Sequence, residues 1–433
     1  MPVPFLSQPL NTHLPHRGLR VLVAFEYGTL NGGERSMLAV FDALTGRAAP
    51  VGRSSTPSER IPDGSNPGAD GVKRRPTVAA VPDLDRPVEI VAAAPSKSRL
   101  AEALAERRIP RVPLELHDAS GARLPKEVAC ERLLEAVQSV APDVLHANSL
   151  AMGRLTGAIA RRTDVPTIAH LRDILKLSGA ARADLNRNSR LVAVSHATRA
   201  FHVEQGLEAG RLEVVYNGVD CDEFQPRRAT GSLRRALGLP AETFLAGTIG
   251  QIGLRKGLDV LADAAALVAL SVPHVHYVLV GERYSAKQES IEFEQAIVRR
   301  FESAGLGAKL HRLGYRDDVS RLLNELDVLV HPARQEPLGR VLLEAAAAGL
   351  PIIATAVGGT PEILTDGKSA RLIPPGQPRP LAAAIIELAG DAGLRDRLAR
   401  SARLRVQRGF SIAGAAERLA AVWRRVWQRL PPM

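Results

Sequence analysis

Short apolar runs alternate with amphipathic stretches along most of the 433-residue chain. The amphipathic stretches at residues 97–108, 126–140, 151–162 and 258–269 have helical spacing. The apolar runs, which are typical of strands buried on both faces, lie at residues 19–25, 88–93, 112–116, 143–146, 167–170, 191–194, 212–216, 245–249, 276–280, 310–313, 328–330 and 351–355. This alternation predicts an α/β fold with parallel sheets and crossover helices.

The strand pattern falls into two series, separated by an irregular, charged linker at residues 221–239. We therefore predict two doubly wound, Rossmann-like domains, residues 1–222 and 223–410, that face each other across a central cleft. An amphipathic pattern at residues 411–430 predicts a last helix. Residues 45–87 are rich in Pro, Gly, Ser and Arg, and we expect them to form a poorly ordered insertion in the first domain.

The net charge of +11 comes mainly from arginine, since only 8 of the 57 basic residues are lysine. Residues 371–433 carry 12 basic and 4 acidic side chains. Aromatic residues make up only 4% of the chain, too few for the stacking platforms of a nucleic-acid binder, so no nucleic-acid partner is expected. Peripheral contact with an anionic membrane face fits this charge better.

The chain carries no sequence signal for a membrane, a secretory route or a metal. It has no uncharged apolar run long enough to span a bilayer, and residues 1–20 lack the pattern of a signal peptide. Cys130 and Cys221 lack metal-ligand spacing and fit a reducing compartment. The D-x-D triplets at residues 83–85 and 220–222 are too short to assign a metal. We expect a cytoplasmic protein without metal or cofactor.

Glycines and cations follow two of the predicted strands. Gly32 and Gly33 come after the first strand and open a helix, where backbone N–H groups bind anions, although a plain flexible turn fits equally well. Arg255 and Lys256 lie between the strand at 245–249 and the next helix. This position suits neutralisation of a phosphate, and a solvated lysine at a helix start is the alternative.

Two glutamates stand eight residues apart in the segment 331–355. A helix starting near Leu338 places Glu344 among leucines and alanines, where a carboxylate is unusual unless it binds a polyol such as ribose. Glu336 precedes this helix, and the free N–H groups at residues 338–341 suit a diphosphate. The alternative places Glu344 in solvent. His170, like His146, ends a predicted strand at the cleft edge, where structural and catalytic roles fit equally well.

These motifs, in this order, resemble the signature of retaining glycosyltransferases of family 4 (glycosyl transferases group 1). The resemblance covers most of the chain and is carried by the Gly32–Gly33 turn, residues 143–146, His170, residues 217–220, Lys256–Gly257, residues 314–318 and, most closely, residues 336–362. It implies the GT-B fold, with acceptor binding in the first domain and nucleotide-sugar binding in the second. It also implies that the last helix packs back on the first domain.

The resemblance implies roles for individual residues. Glu336 is expected to contact the donor sugar, Glu344 the ribose, and Lys256 with Arg255 the diphosphate. Gly33 closes over the phosphate, and His170 lies near the transferred sugar. The predicted catalytic set is His170, Glu336 and Lys256. The remaining donor-binding residues are Tyr315 and Arg316 near the base, and Leu338, Gly339, Arg340 and Val341 near the phosphate and sugar. Gln251 stands where the family often has arginine, which leaves more phosphate charge to Lys256 and Arg255.

The predicted function is transfer of a hexose-type sugar from a nucleotide diphosphate sugar to an acceptor hydroxyl, without metal and with retention of configuration. The resemblance implies a carbohydrate or lipid-linked acceptor in cell-surface polysaccharide or glycolipid synthesis. Two alternatives stay open. One is a sugar-nucleotide epimerase or phosphorylase on the same scaffold, and the other is a non-catalytic basic binding protein with a decayed site. The intact Glu336, Glu344 and Lys256 argue against the second alternative.

Overall fold

A computed structural model describes residues 18–46 and 87–428 of the chain. Most of the predicted insertion, including the D-x-D triplet at 83–85, lies outside these residues, as do the last residues of the predicted helix 411–430. Within the described residues, no helix combines the length and apolarity that crossing a membrane requires.

The first half of the chain forms a seven-stranded parallel sheet in the order β3-β2-β1-β4-β5-β6-β7. Its strands are β1 Leu19–Ala24, β2 Val88–Ala94, β3 Arg111–Pro113, β4 Val144–Ala147, β5 Thr167–Leu171, β6 Arg190–Ala193 and β7 Leu212–Val214. All six residues of β1 are buried, because helices cover both faces of the sheet.

The second half forms a six-stranded parallel sheet in the order β10-β9-β8-β11-β12-β13. Its strands are β8 Phe244–Ile249, β9 Val275–Val280, β10 Leu310–Gly314, β11 Val328–His331, β12 Ile352–Thr355 and β13 Arg371–Ile373. Both sheets reverse their strand order around the central strand, as doubly wound sheets do. The predicted fold of two Rossmann-like domains is confirmed.

Helices connect the strands. In the first domain they are α1 Gly32–Leu44, α2 Arg99–Glu106, α3 Lys126–Val140, α4 Leu150–Ile159, α5 Gly179–Leu185 and α6 His196–Glu204. In the second they are α7 Ser232–Ala236, α8 Leu258–Ala269, α9 Gln288–Ser303, α10 Val319–Leu322, α11 Arg340–Ala347, α12 Thr360–Ile363 and α13 Pro378–Gly390, followed by α14 Ala392–Gly409 and α15 Ile412–Trp427. Serine hydroxyls cap the N-termini of α2, α4, α5 and α6, which satisfies backbone N–H groups that lack a partner inside the helix.

The last helix, α15, packs against α1 and completes the core of the first domain. Leu419, Trp423 and Val426 on its apolar face are buried there, and Trp423 is fully enclosed. The chain returns to the first domain beside Val219, whose N–H donates to Phe410 O at 2.9 Å and whose carbonyl accepts the Ile412 N–H at 3.0 Å. Two crossings between the domains are therefore hydrogen-bonded side by side.

Many predicted element bounds differ from the structure by a few residues. The strand expected at 112–116 is β3, Arg111–Pro113. The linker at 221–239 contains the short helix α7. The helix expected to start near Leu338 begins at Arg340, because Gly339 adopts a left-handed conformation with φ +99° that interrupts a helix.

Candidate active site

A cavity of about 590 Å³ lies between the two domains, at the carboxyl ends of strands from both sheets. Parallel sheets place ligands at this edge, because the loops after the strands converge there. Eleven predicted site residues line the cavity: Gly33, Arg255, Lys256, Tyr315, Arg316, Glu336, Leu338, Gly339, Arg340, Val341 and Glu344. His170 is not among its lining residues.

The Glu336 carboxylate, which is 6% exposed, is the centre of a buried cluster. Its Oε2 lies 2.6 Å from Lys256 Nζ and 2.8 Å from His331 Nε2. Burial alone would raise the pKa of Glu336, but the Lys256 ammonium and the hydrogen bond from His331 hold this pKa well below its ordinary value. Burial lowers the pKa of His331, so a neutral ring donates through Nε2–H to an ionised carboxylate. Sequence reasoning missed His331, although it ends β11.

The loop between Glu336 and α11 is held in place from both domains. Within the second domain, the Gly359 N–H donates to Glu336 O at 3.0 Å. From the first domain, the Thr198 hydroxyl donates to Pro337 O at 3.2 Å, and the Ser195 hydroxyl donates to the same carbonyl. The position of the Glu336 loop therefore depends on the contact between the domains.

Glu344 pairs with Arg340 one helical turn earlier in α11, with 2.7 Å between Arg340 Nε and Glu344 Oε1. Only 7% of Glu344 is exposed, which excludes the alternative that it faces solvent. The Glu223 carboxyl lines the same part of the cavity, and burial together with the charge of Glu344 raises the pKa of Glu223. This part of the wall therefore presents hydrogen-bonding carboxyl groups to the cavity.

Tyr315 lies between cations of the first domain. Its hydroxyl accepts a hydrogen bond from the Arg35 guanidinium, and the Arg99 guanidinium lies 5.0 Å from its ring centroid. The Tyr315 N–H donates to Glu282 Oε1 at 3.2 Å, which fixes the backbone after β10. The first domain thus reaches over the end of the cavity where the sequence predicted the nucleobase.

Gly33 packs directly against Arg172, which follows β5. A Cβ at Gly33 would lie 3.1 Å from Arg172 Cδ, so a larger side chain would displace the arginine. Asn148, after β4, donates through Nδ2 to Gly33 O at 3.2 Å and also accepts hydrogen bonds from Arg172. Sequence reasoning did not select Arg172 or Asn148. The sequence does show that both are polar residues directly after predicted strands, whose carboxyl ends lie at the cleft.

The prediction that His170 lies at the cleft edge is wrong in this structure. The ring is 3% exposed, and its Nδ1 contacts His146 Nε2 at 3.3 Å and Arg172 Nη2 at 3.2 Å. His146 in turn accepts a hydrogen bond at Nδ1 from Trp423 Nε1 of α15, at 3.1 Å. Burial lowers the pKa of both histidines, for His146 to about 3. Arg172 lines the cavity, and His170 lies next to it in the domain interior.

Glu362, which follows Pro361 in α12, makes a second contact between the domains. Its carboxylate accepts the N–H groups of His196 and Ala197 at the start of α6, at 2.9 and 2.8 Å, and the hydroxyl of Tyr216 at 2.8 Å. We call these contacts the Glu362 clasp. A negative charge at a helix N-terminus is favourable, and here the charge and the helix belong to different domains.

Comparison with known proteins matches both halves of the chain. Residues 80–223 match the family described as Glycosyltransferase Family 4, and residues 230–405 match Glycosyl transferases group 1. The chain belongs to glycosyltransferase family 4. In this family-4 chain, the described residues include no group of three or more His, Cys, Asp or Glu side chains arranged to hold a metal ion.

Two relatives of this family-4 chain are D-inositol 3-phosphate glycosyltransferases. The protein from Corynebacterium urealyticum is 29% identical over 245 residues, which is 55% of this chain and 57% of the relative. The protein from Mycobacterium bovis is 28% identical over 305 residues, 65% of this chain and 62% of the relative. The chain thus spans about six-tenths of the length of these curated relatives.

Two solved structures show the same fold. Anabaena Alr3699/HepE, solved in complex with UDP and glucose, has a TM-score of 0.75 at 21% identity, covering 94% of this chain and 99% of its own. WaaG, a glycosyltransferase involved in lipopolysaccharide biosynthesis, has a TM-score of 0.64 at 17% identity, covering 93% and 99%. The family-4 chain therefore shares its two-domain GT-B architecture with both proteins.

Proposed function

We propose that this chain transfers a hexose-type sugar from a nucleotide diphosphate sugar to an acceptor hydroxyl, with retention of configuration and without a metal. The observation that carries the proposal is the buried Lys256–Glu336–His331 cluster on the wall of the cavity between the domains. It combines a cation that can stabilise a leaving phosphate with an ionised carboxylate that can accept hydrogen bonds from sugar hydroxyls. Family membership supports the same donor class, as does the similarity in fold to Anabaena Alr3699/HepE, which was solved in complex with UDP and glucose.

The donor is proposed to lie along the second domain. Its base lies near Tyr315 and Arg316, its ribose against Glu344, and its diphosphate near Lys256 and Arg255. The backbone N–H groups of residues 338–341, just before and at the start of α11, are proposed to bind the same phosphates, together with the positive end of the α11 dipole. Glu336 accepts hydrogen bonds from hydroxyls of the transferred sugar. Arg255 is exposed at the cavity wall, so solvent and salt screen its charge more than that of Lys256, whose side chain is 14% exposed.

In the proposed reaction the bond from the anomeric carbon to the phosphate oxygen breaks while the acceptor oxygen bonds to the same face of that carbon. The acceptor proton moves to the leaving phosphate oxygen, so no side-chain nucleophile is needed. The transition state separates a positive sugar from a negative diphosphate. Lys256 and the backbone amides stabilise the developing phosphate charge, which is usually the largest contribution to catalysis in such sites.

The acceptor is proposed to be a carbohydrate or lipid-linked hydroxyl that enters along the first-domain wall, in cell-surface polysaccharide or glycolipid synthesis. The inositol phosphate acceptor named for the relatives supports a polyhydroxylated acceptor. We place the protein in the cytoplasm, with peripheral membrane contact. The apolar face of α15 is buried in the first domain, so such a contact uses its arginine side, including the exposed Arg425.

A two-stage experiment tests the function. Nucleotide sugars are first screened for protection against thermal unfolding, and a donor is expected to raise the Tm. Product formation from that donor is then measured for Lys256→Met and Glu336→Gln, at a temperature where circular dichroism shows each variant folded. We expect both variants to lower kcat by about 100-fold or more. Lys368→Met, at an exposed lysine outside the cavity, is the matched control.

Other outcomes of this experiment identify the alternatives. Conversion of the donor without acceptor indicates an epimerase, and dependence on free phosphate or on a sugar phosphate indicates a phosphorylase. Salt-dependent binding of nucleic acid with no binding of any nucleotide sugar indicates a non-catalytic basic protein. Near-normal turnover in either cavity variant contradicts the proposed site.

A further inference from the structure

Arg172 is a cation of the cavity wall whose hydrogen-bond partners are all uncharged. Its guanidinium donates to Asn148 Oδ1 at 2.9 Å, to Asn148 O at 3.1 Å and to Asn217 Oδ1 at 2.8 Å, and it contacts His170 Nδ1 at 3.2 Å. No carboxylate among the described residues forms an ion pair with it. The charge of Arg172 is therefore held in the wall without a direct counter-ion.

Most of the other cations that line the cavity are neutralised within the protein, the exceptions among the described residues being Arg35 and Arg255. Four of them form ion pairs with carboxylates, namely Lys256 with Glu336, Arg340 with Glu344, Arg123 with Glu26, and Arg316 with Asp318. A bound anion would have to compete with those carboxylates for the cation. At Arg172 it meets no ion-paired carboxylate, although the charges of Glu34 and Asp173 act on the guanidinium from farther away.

The surroundings of Arg172 leave its guanidinium charged. Burial lowers the pKa of Arg172 to about 10, the negative charges of Glu34 and Asp173 act in the opposite direction, and the positive charge of Arg340 has a smaller lowering effect. The guanidinium is thus charged at neutral pH, and an oxyanion bound to it would be attracted by this charge.

The guanidinium is fixed in a geometry that leaves a donor available. Arginine has five N–H donors. Nε and Nη2 are used by Asn148 and His170, whereas Nη1 has one recorded acceptor, Asn217, among the residues that the structure covers. The second N–H of Nη1 thus has no acceptor in this part of the chain. Because Asn148 and Asn217 already hold the guanidinium in place, the Arg172 side chain loses less conformational entropy when it binds a ligand.

Arg172 also adjoins the start of α1. Its side chain packs under Gly33, and the first N–H groups of that 13-residue helix have no acceptors inside the helix. These N–H groups and the guanidinium bind the same kind of ligand, since both favour a negatively charged oxygen.

We propose that Arg172 is a phosphate-binding residue, supplied by the first domain, that contacts an oxyanion held between the two domains. The inference rests on the proposed function for the source of that phosphate, which is either the diphosphate of the donor or a phosphate on the acceptor. Arg172 thereby makes anion binding dependent on both domains.

The test compares Arg172→Gln, Arg172→Lys and the exposed-arginine control Arg161→Gln by calorimetric titration with UDP, uridine and inorganic phosphate. Arg172→Gln is expected to weaken the binding of UDP, of phosphate, or of both by about 10- to 100-fold, in line with the loss of a charge-assisted hydrogen bond. Uridine, which has no phosphate, is expected to bind equally to all forms. Arg172→Lys, which keeps the charge, is expected to recover part of the loss.

Competition distinguishes the two sources of phosphate. If Arg172 binds the donor diphosphate, saturating UDP prevents phosphate from binding. If it binds an acceptor phosphate, inorganic phosphate binds alongside UDP, and Arg172→Gln abolishes only that binding. Wild-type protein that binds phosphate through Arg172 but binds no nucleoside diphosphate contradicts the proposed function and supports this inference. Equal binding of UDP and phosphate by wild type and Arg172→Gln overturns the inference.

Discussion

The charge of Glu336 is compensated inside the protein by Lys256, and His331 adds a hydrogen bond. The carboxylate tolerates burial because the ammonium offsets its charge and His331 donates to the same oxygen. Such a pair adds little stability compared with apolar residues of the same shape, but removal of one partner leaves an uncompensated charge in the interior. The position of Glu336 therefore depends on the compensation of its charge by Lys256, which a single substitution at either residue removes.

Removing Lys256 alone is expected to destabilise the protein more than removing the whole pair. In Lys256→Met the pKa of Glu336 rises, because burial then acts without the ammonium. We expect a loss of about 3–5 kcal/mol in the free energy of unfolding at pH 7. The double variant Lys256→Met/Glu336→Gln is expected to recover part of that loss. Denaturant titration measures all four forms, and additive effects would contradict the coupling.

At the scale of elements, α15 is anchored to the first sheet through a hydrogen bond that depends on a neutral histidine. Trp423 donates to Nδ1 of His146 in β4, so a proton at this nitrogen breaks the bond. Burial, followed by the positive charge of Arg172, lowers the pKa of His146 to about 3. The unfolded chain takes up this proton near pH 6.5.

Stability is accordingly expected to fall as the pH decreases. The contribution of His146 is fully present above about pH 6.5 and declines by about 1.4 kcal/mol per pH unit as the pH falls from there towards 3, because only the unfolded state binds the proton. Calorimetry at pH 7.5 and 5.5 measures this decline. His146→Gln is expected to lose less between the two pH values than wild type, and His274→Gln, at an exposed histidine, is expected to match wild type. An equal decline in His146→Gln would contradict this assignment.

The elements follow from local patterns, whereas the site depends on contacts between distant residues. Largely apolar strands such as β1 are visible in the sequence, and their alternation with amphipathic stretches was sufficient to predict the two sheets. The burial of His170 is not visible there, because it depends on His146 of β4, which contacts the His170 ring, and on Trp423 of α15, which donates to His146. The Lys256–Glu336 pair joins residues 80 positions apart, and no local pattern encodes it.

At the scale of the whole molecule, the contacts between the domains fall on the same elements that shape the cavity. The Glu362 clasp holds the start of α6, and Ser195 and Thr198 in that region hold the carbonyl next to Glu336. Arg35 reaches Tyr315 on the far side of the cavity. The arrangement of the domains and the geometry of the cavity are therefore coupled.

Opening the Glu362 clasp is expected to open the cavity. Glu362→Ala removes the acceptor of two N–H groups and one hydroxyl, and charge-assisted hydrogen bonds of this kind favour the closed arrangement by about 1.5–3 kcal/mol. We expect a larger radius of gyration in small-angle scattering and an affinity for UDP lowered by about tenfold or more. Tyr216→Phe, which removes one of the three donors, is expected to show a smaller change. Glu302→Ala, at an exposed carboxylate, is the control, and unchanged scattering in Glu362→Ala would show that the clasp does not hold the domains.

The return of α15 to the first domain has a consequence for synthesis of the chain on the ribosome. The core around β1 and α1 contains Leu419, Trp423 and Val426, which are translated after the whole second domain. The second sheet, from Phe244 to Ile373, is a continuous segment that is complete before α15 emerges. Since domains fold as units when their residues are available, the domain that begins the chain is the one that finishes folding last.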